Sequence, residues 1–236
     1  MIKKAIILCG GTGSRMFPLT HSVNKQLLPI LDKPMFYYPL SLLMLCGIRD
    51  YIFIINKDQE KNFRKALGNE NDLGIKVKFV TQEKPRGLPD AFSIAKEFIK
   101  NQSIAMILGD NFFFGSMISP LIKKSFKLKS GCNIYLYPSN KPSSYGVVEF
   151  NKKNKIKKIV EKPKKTNSNS IITGLYVFDK NVVNFTDKLK PSKRKELEIV
   201  DLINLYKNKK KLKVTKLGRG SAWMDVGNFN DLQSAS

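Results

Sequence analysis

The 236-residue chain contains a single histidine and three cysteines, and each shortage disfavours a class of protein. One histidine, His21, supports no convincing Ser/His/Asp arrangement, so hydrolysis of that type is disfavoured, and we expect His21 to be a solvated loop residue. The cysteines Cys9, Cys46 and Cys132 are odd in number, widely spaced and set in apolar segments. They are predicted to be reduced core residues without metal-ligand spacing.

Long apolar segments are also lacking. No run of about 18 apolar residues occurs, and the sequence therefore predicts no membrane-spanning helix. The apolar stretch Ala5–Cys9 is too short for a signal peptide and ends in glycines, so a cytoplasmic location is expected. The hydrophobic content of 42%, with 10% aromatic residues, is typical of a globular protein with a buried core.

Acidic residues are scarce, since 19 Asp and Glu oppose 42 Lys and Arg, which gives a net charge of +23. Such a balance suits a nucleic-acid-binding protein. The lysines are spread over the chain, however, with clusters such as Lys152–Lys158 and Lys207–Lys213 in predicted hairpin turns and at a helix end. No nucleic-acid-binding motif accompanies them, so we expect solvated surfaces and no specific nucleic-acid partner. The positive field still favours the arrival of anionic nucleotides.

Apolar runs alternate with helical patterns through the first half of the chain and give way to closely spaced strands in the second. The predicted strands are Ala5–Cys9, Tyr51–Ile55, Lys76–Val80, Ile104–Leu108, Ile134–Tyr137, Gly146–Phe150, Ile156–Val160, Gly174–Phe178 and Leu212–Leu217. The predicted helices are Met35–Cys46, Lys61–Leu67, Asp90–Ile99, Asn181–Leu189, Glu196–Asn208 and one that starts at about Phe229. This order predicts one α/β domain with a mixed, mostly parallel central sheet, helices on both faces and a smaller antiparallel part.

A glycine-rich loop follows the first predicted strand. It reads Gly10-Gly11-Thr12-Gly13-Ser14-Arg15. Backbone amides in such a turn form a concave anion nest, and Arg15 and Lys25 add positive charge, which together indicate a polyphosphate ligand. The Walker A and dinucleotide-binding patterns do not match, because no lysine has the required spacing and Met16 takes the third glycine position. For the glycines alone, a plain β-turn is the alternative.

Two carboxylates follow apolar segments at positions suited to a metal site. Asp110 comes directly after the strand Ile104–Leu108, and Asp225 precedes Gly227. Ligands of open α/β sheets sit beyond the carboxyl ends of parallel strands, where Mg²⁺ shares carboxylates with substrate phosphates. The alternative for Asp110 is a turn or helix-capping residue.

Two further motifs contain candidate ligand-binding residues, and they are Glu161-Lys162-Pro163 and Tyr145-Gly146. Glu161 suits sugar hydroxyls and Lys162 suits a phosphate, whereas the alternative for this motif is an exposed strand exit.

Short motifs of different kinds are distributed along the whole chain. They are Gly10–Arg15, Pro18–Thr20, Lys25–Pro29, Asp32–Met35, Tyr37–Leu40, Leu108–Asn111, Tyr145–Phe150, Glu161–Pro163, Thr173–Tyr176, Glu196–Ile199 and Ala222–Gly227. Together they resemble the sugar-1-phosphate nucleotidyltransferase family, and within it the glucose-1-phosphate thymidylyltransferases. The resemblance implies a Rossmann-like fold and the reaction of dTTP with α-D-glucose 1-phosphate to give dTDP-glucose and pyrophosphate, with Mg²⁺ as cofactor.

The resemblance also implies roles for individual residues. Implied nucleotide contacts are Gly10, Gly11, Thr12, Gly13, Arg15, Lys25, Gln26, Gln82 and Gly87. Implied glucose 1-phosphate contacts are Asn111, Tyr145, Gly146, Glu161, Lys162 and Ile172. Asp110 and Asp225 are implied to hold Mg²⁺, and Arg15, Lys25, Lys162 and Asp110 to carry catalysis. The nucleotide part is expected over about residues 1–130 and the sugar-phosphate part over about 131–236.

The sequence departs from the family pattern at two places. The loop after Gln82 commonly reads Gly-Leu-Ala-Gln-Ala in the family, and here it is Gly87-Leu88-Pro89-Asp90-Ala91. Ile172 replaces the usual valine. We also expect the chain to lack the C-terminal helical extension of longer members, which contributes to a regulatory nucleotide site and to subunit packing.

Several alternatives stay open at this point. A uridylyl- or other sugar-nucleotidyltransferase has the same motifs, and a catalytically silent regulatory homologue is a different class. The resemblance further implies a homo-oligomer, either a dimer or a tetramer, and a place in dTDP-rhamnose and polysaccharide biosynthesis.

Overall fold

A computed structural model describes every residue from Met1 to Ser236. The strands are β1 (Lys4–Cys9), β2 (Pro29–Ile30), β3 (Lys33–Pro34), β4 (Asp50–Asn56), β5 (Lys76–Gln82), β6 (Ile104–Leu108), β7 (Asn111–Phe114), β8 (Cys132–Pro138), β9 (Gly146–Phe150), β10 (Ile156–Glu161), β11 (Ser170–Phe178), β12 (Leu212–Lys216) and β13 (Ala222–Asp225). The helices are α1 (Tyr37–Leu45), α2 (Glu60–Leu67), α3 (Asp90–Ile94), α4 (Lys96–Ile99), α5 (Ile118–Ser125), α6 (Val182–Thr186), α7 (Ile199–Asn208) and α8 (Phe229–Ala235).

A mixed sheet of nine strands forms the centre of the molecule, in the order β10-β9-β11-β6-β1-β4-β5, with β8 and β12 attached through β11. Strands β6, β1, β4 and β5 are neighbours and run parallel. Strand β11 runs antiparallel to β6 and joins the two halves of the chain in one sheet. The carboxyl ends of the parallel strands therefore share one edge, where ligands of such sheets bind.

Helices cover both faces of the sheet because the buried strands are apolar on both sides. In β1, Ile7 faces a core that includes Phe63 of α2, whereas Ile6 faces a second core that includes Phe92 of α3. All of these side chains are fully buried, and burial of each contributes about 1.5–3 kcal/mol. The predicted fold class, a mixed sheet with helices on both faces, is confirmed.

Several predicted boundaries in the first half differ from the structure. The helix predicted at Asp90–Ile99 is divided at Ala95, where the backbone leaves the helical region with a φ of −89° and a ψ of 6°, and α4 follows. The helix predicted from Met35 begins at Tyr37. The Met35 carbonyl accepts from the Tyr38 N–H, three positions on, and the first bond of the α-helical type runs from the Leu40 N–H to the Phe36 carbonyl, each at 3.2 Å.

Further corrections concern the second half. Strand β11 begins at Ser170 rather than Gly174. The helix predicted from Glu196 begins at Ile199, because Glu198 is extended and the Leu197 N–H donates to the Arg86 carbonyl at 2.8 Å. The helix predicted at Asn181–Leu189 is limited to α6.

The second half contains the expected antiparallel part, which extends the central sheet. Strands β8 to β11 pair in antiparallel fashion and continue the central sheet, and β12 is parallel to β8. The sequence analysis missed α5, β7 and β13, and it also missed the short antiparallel pairing of β7 with β13, which carries part of the site.

The expectations for single residues hold. Cys9, Cys46 and Cys132 are buried and unbonded to one another, and burial raises the pKa of each thiol. His21 is exposed and stacks on Phe17 at a ring distance of 4.2 Å.

No helix combines the length and the apolar character that crossing a membrane requires.

Candidate active site

The glycine loop after β1 is held open by side chains from elsewhere in the chain. Gly11 and Gly13 have φ angles of 107° and 62°, a region that side chains disfavour. Asn56, at the end of β4, accepts from the Gly11 N–H at 3.0 Å and donates to the Gly11 carbonyl at 2.6 Å. The Thr20 hydroxyl donates to the Gly13 carbonyl at 2.8 Å. These bonds fix the loop in a concave shape before any ligand arrives.

A cavity of about 250 Å³ lies under this loop, and none of its ten lining residues is hydrophobic. It is lined by Gly10, Gly11, Thr12, Gly13, Ser14, Arg15, Lys25, Gln26, Asp110 and Gly227. We call it the loop cavity. The Arg15 guanidinium lies beside Gly227. Because the side chain is exposed, the guanidinium is free to turn toward an anion in the cavity. The cavity has the polarity and charge that a polyphosphate requires.

Lys25 is positioned by a buried neighbour. The Asn24 side chain donates to the Cys9 carbonyl at 3.0 Å and accepts from the Gln26 N–H at 2.9 Å. Asn24 thereby starts the short 3₁₀ turn Lys25–Leu27 and ties it to the end of β1. The Lys25 ammonium donates to the Asp110 carboxylate, and both side chains are mostly buried. Sequence reasoning missed Asn24 and Asn56, although Asn directly before a helical turn is a capping signal.

Asp110 and Asp225 meet because β7 and β13 pair with Asn111 opposite Asp225. The Asn111 amide donates to Asp110 at 3.1 Å and to Asp225 at 3.4 Å. Its carbonyl oxygen accepts from the Gly174 N–H at 2.9 Å and from the Trp223 indole N–H at 2.8 Å. Asn111 is only 1% exposed, so its orientation is fixed by four partners and it holds the two carboxylates side by side.

The pair of carboxylates has strong internal repulsion. Burial, and then the neighbouring charge of Asp110, raise the pKa of Asp225 to about 7, although Lys25 and Arg15 act in the opposite direction. A bound cation would remove this repulsion. No group of three or more His, Cys, Asp or Glu side chains forms a metal cage. Two carboxylates without a cage suit Mg²⁺, which takes its other ligands from phosphates and water.

A second cavity, of about 150 Å³, lies on the other side of the aspartate pair, and half of its sixteen lining residues are hydrophobic. We call it the second cavity. Its lining includes Asp225 and all six residues predicted to contact glucose 1-phosphate, which are Asn111, Tyr145, Gly146, Glu161, Lys162 and Ile172. At Gly146 a side chain would lie 2.8 Å from Val200 and 3.4 Å from the Glu161 carboxylate, so only glycine leaves this space open.

Glu161 is one of two acidic residues that line the second cavity, together with Asp225. Burial, followed by the charge of Glu198, raises the pKa of Glu161, while Lys162 and Arg194 lower it. The Arg194 guanidinium contacts Glu161 at 3.5 Å and Glu198 at 2.6 Å, which ties the end of β10 to the start of α7. Arg194 and Glu198 lie 33 and 37 positions beyond Glu161. Glu198 belongs to the motif Glu196–Ile199, whereas no local pattern indicated Arg194.

Tyr145 forms an aromatic wall of the same cavity. Its ring packs edge-on against Trp223 at 5.4 Å, and burial raises its pKa to about 12. The phenol therefore stays protonated near neutral pH, so its hydroxyl can donate a hydrogen bond.

Gln82 and Gly87 are the only predicted site residues outside the two cavities. Gln82 ends β5 and is buried, and its Oε1 lies toward Gly10 of the loop. Gly87 has a φ of 102°, and a side chain there would lie 2.1 Å from the Leu197 carbonyl. Gln82 thus borders the loop, whereas Gly87 is required by close packing against the segment before α7.

Comparison with known proteins matches nearly the whole chain. The profile of the family described as Nucleotidyl transferase matches residues 4–236. The chain belongs to the nucleotidyl transferase family. This nucleotidyltransferase is 44% identical over 233 residues to a Neisseria meningitidis protein named glucose-1-phosphate thymidylyltransferase, a match that covers 99% of this chain and 81% of that one.

Solved structures of other nucleotidyltransferases share the fold. A Bacillus anthracis crystal structure described as a glucose-1-phosphate thymidylyltransferase superimposes with a TM-score of 0.90 at 34% identity, and covers 100% of this chain and 94% of that one. A UDP-glucose pyrophosphorylase in complex with UDP-glucose superimposes with a TM-score of 0.85 at 23% identity, over 100% and 97% of the two chains. The second likeness concerns the fold alone.

Proposed function

We propose that this nucleotidyltransferase makes dTDP-glucose and pyrophosphate from dTTP and α-D-glucose 1-phosphate. The observation that carries the proposal is the aspartate pair, Asp110 and Asp225, held by Asn111 between a wholly polar cavity and a half-apolar one. A polar cavity with two cations suits a triphosphate, and a half-apolar one suits a sugar ring. The name of the Neisseria meningitidis relative supports dTTP and glucose 1-phosphate as the substrates.

In this proposal the loop cavity binds the triphosphate. The amides from Gly10 to Gly13 and the side chain of Thr12 surround the phosphates, and Arg15 and Lys25 neutralise them. Gln26 lies near the nucleoside, and Gln82 and Gly87 are assigned to the base. Because amides and cations are already in place, little reorganisation is needed when negative charge develops.

The second cavity binds glucose 1-phosphate. Glu161 accepts hydrogen bonds from sugar hydroxyls, Lys162 binds the phosphate, and Tyr145, Gly146 and Ile172 shape the wall around the ring. Asn111 lines the same cavity, and its amide holds the two aspartates beside the site assigned to the sugar phosphate.

The reaction is an in-line transfer at the α-phosphorus of dTTP. An oxygen of the sugar phosphate forms the new bond to the α-phosphorus, and the bond from that phosphorus to the bridging oxygen of the β-phosphate breaks. Pyrophosphate leaves with that bridging oxygen. The attacking phosphate is already ionised at neutral pH, so no general base is needed, which agrees with a chain that has one histidine. Positioning and charge neutralisation supply the catalysis.

Asp110 and Asp225 are the residues that would hold Mg²⁺. When bound, the metal neutralises phosphate charge and orients the α-phosphate. Lys25 contacts Asp110 in the protein and holds that carboxylate in the lining of the loop cavity.

The domain division and the assembly belong to this proposal as well. Residues 1–236 form one nucleotidyltransferase domain, with the nucleotide part over about 1–130 and the sugar-phosphate part over about 131–236. The homo-oligomeric state, the cytoplasmic location and the place in dTDP-rhamnose synthesis stay predictions.

The test is pyrophosphate release by the purified protein with Mg²⁺, glucose 1-phosphate and one nucleotide at a time. We expect the fastest release with dTTP among dTTP, UTP, CTP, GTP and ATP, and none when glucose 1-phosphate or Mg²⁺ is left out. Fastest release with UTP would identify a uridylyltransferase instead. No release with any nucleotide would identify a silent homologue and contradict the proposal.

A further inference from the structure

Gln82 has a buried partner that the proposed function does not use. Its side-chain Nε2 donates to Oδ2 of Asp90 at 3.0 Å, and the two residues are only 7% and 2% exposed. Oδ1 of Asp90 contacts the guanidinium of Arg86 at 2.9 Å. The Arg86 side chain is 65% exposed, so this ion pair connects the buried carboxylate to solvent. A buried carboxylate that is bonded at both oxygens keeps its orientation.

The Asp90 carboxylate determines the orientation of the Gln82 side-chain amide. An ionised carboxylate only accepts hydrogen bonds, so the NH₂ end of the amide must face Asp90. The carbonyl end then faces the glycine loop, where Oε1 lies 2.8 Å from the position that a Gly10 Cβ would take. An isolated glutamine presents either end at little cost. Here one orientation is imposed, and the loop side receives a hydrogen-bond acceptor.

We propose that Asp90 is a positioning residue for base selection, which acts by fixing Gln82 with its carbonyl oxygen toward the nucleotide. This inference rests on the proposed function, in which Gln82 borders the base. An acceptor at this place matches bases with a ring N–H, as in thymine and uracil. It repels cytosine and adenine, whose corresponding ring nitrogens are acceptors. Thymine and uracil present the same edge, so this contact treats dTTP and UTP alike.

Removal of the carboxylate charge tests the proposal. In Asp90→Asn the new amide can donate as well as accept, so it no longer imposes one orientation on Gln82. We expect KM for dTTP to rise, and the ratio of kcat/KM for dTTP to that for dCTP to fall by about tenfold or more. The matched control is Asp72→Asn, the same change at an exposed carboxylate, which should leave the ratio as in the wild type.

A second variant distinguishes orientation from a merely structural role. The double variant combines Gln82→Glu with Asp90→Asn. The carboxylate at position 82 is then an acceptor in either orientation, and the amide at position 90 can donate to it. We expect this double variant to recover most of the preference for dTTP over dCTP that Asp90→Asn loses. If Asp90→Asn does not fold, as judged by thermal unfolding, the double variant carries the test, and equal use of dTTP and dCTP by it contradicts the inference.

Failure of this inference is separable from failure of the proposed function. A wild-type protein that makes dTDP-glucose, together with an unchanged dTTP-to-dCTP ratio in Asp90→Asn, overturns the role of Asp90 alone. A wild-type protein that is inactive with every nucleotide overturns both.

Discussion

The two cavities beside the aspartate pair are built in opposite ways. The loop cavity comes mainly from one continuous segment, Gly10–Arg15, and offers backbone amides and the cations Arg15 and Lys25. The second cavity is assembled from β9, β10, β11, α7 and β13, and offers side chains on an apolar wall. The first arrangement suits a ligand recognised by its charge, and the second suits one recognised by its shape and hydroxyl groups. Under the proposed function, variants in the two cavities should therefore affect different substrates.

The largest effect is expected where the cavities meet. Asp110→Asn removes a carboxylate that contacts Lys25 and faces Asp225, and it weakens the site that would hold Mg²⁺. We expect kcat for dTDP-glucose formation to fall by about a thousandfold, measured as pyrophosphate release at saturating substrates. Asp72→Asn is the matched control and should keep wild-type activity. Wild-type turnover in Asp110→Asn would contradict a shared metal centre.

A change in the loop cavity should act on the nucleotide. Arg15→Ala removes an exposed guanidinium that lies beside Gly227, without disturbing a buried contact. We expect kcat/KM for dTTP to fall by about a hundredfold, and dTDP-glucose formation to be nearly lost at low dTTP. Arg64→Ala, on the exposed side of α2, is the control for loss of a surface arginine. An unchanged kcat/KM for dTTP would show that Arg15 does not take part in binding the nucleotide.

The corresponding change in the second cavity should act on the sugar. Glu161→Gln keeps the size of the side chain but removes its charge, so hydrogen bonds to sugar hydroxyls weaken. We expect KM for glucose 1-phosphate to rise by about tenfold, with a much smaller change in KM for dTTP. The control is Glu149→Gln, whose carboxylate pairs with Lys158 on the neighbouring strand. A rise in KM for dTTP alone would reverse the assignment of the two cavities.

The smallest effect concerns stability rather than activity. Burial and Asp110 raise the pKa of Asp225 to about 7, so the folded protein is destabilised whenever this carboxyl group is ionised. Asp225→Asn should therefore raise the Tm of the metal-free protein by about 3 °C or more at pH 8. The gain is complete above about pH 7 and shrinks as the pH falls toward the ordinary value of 3.8, because the carboxyl group is then protonated in both states.

Thermal unfolding in a chelator at pH 8 and at pH 5 measures this dependence. A Tm that falls in Asp225→Asn at pH 8 would show that the carboxylate is not repelled by its surroundings.

The contrast between the cavities also explains what the sequence could predict. The loop was predictable from its residues alone, because Gly10–Arg15 are contiguous and glycine at positive φ has a direct structural meaning. Asp225 and Glu161 were indicated weakly by position and strongly only by resemblance to a family. Their neighbours come from distant strands, so no spacing in the sequence reports that they converge.

Residues that position other residues were the ones that sequence analysis missed. Asn56, Asn24, Arg194 and Asp90 each act through a bond to a partner between 2 and 45 positions away. Such bonds depend on the register of the sheet and on how loops pack on its edge. The start of α7 at Ile199 was missed for the same reason, since the segment before it is extended and the Leu197 N–H donates to the Arg86 carbonyl.

The most direct test of the central claim follows the oxygen atoms of the reaction. Glucose 1-phosphate carrying a heavy oxygen isotope on its phosphate is incubated with dTTP, Mg²⁺ and the purified protein, and both products are analysed by mass spectrometry. Attack by the sugar phosphate at the α-phosphorus predicts that all of the label stays in dTDP-glucose and that pyrophosphate carries none. Label in pyrophosphate, or the absence of dTDP-glucose, would contradict the account.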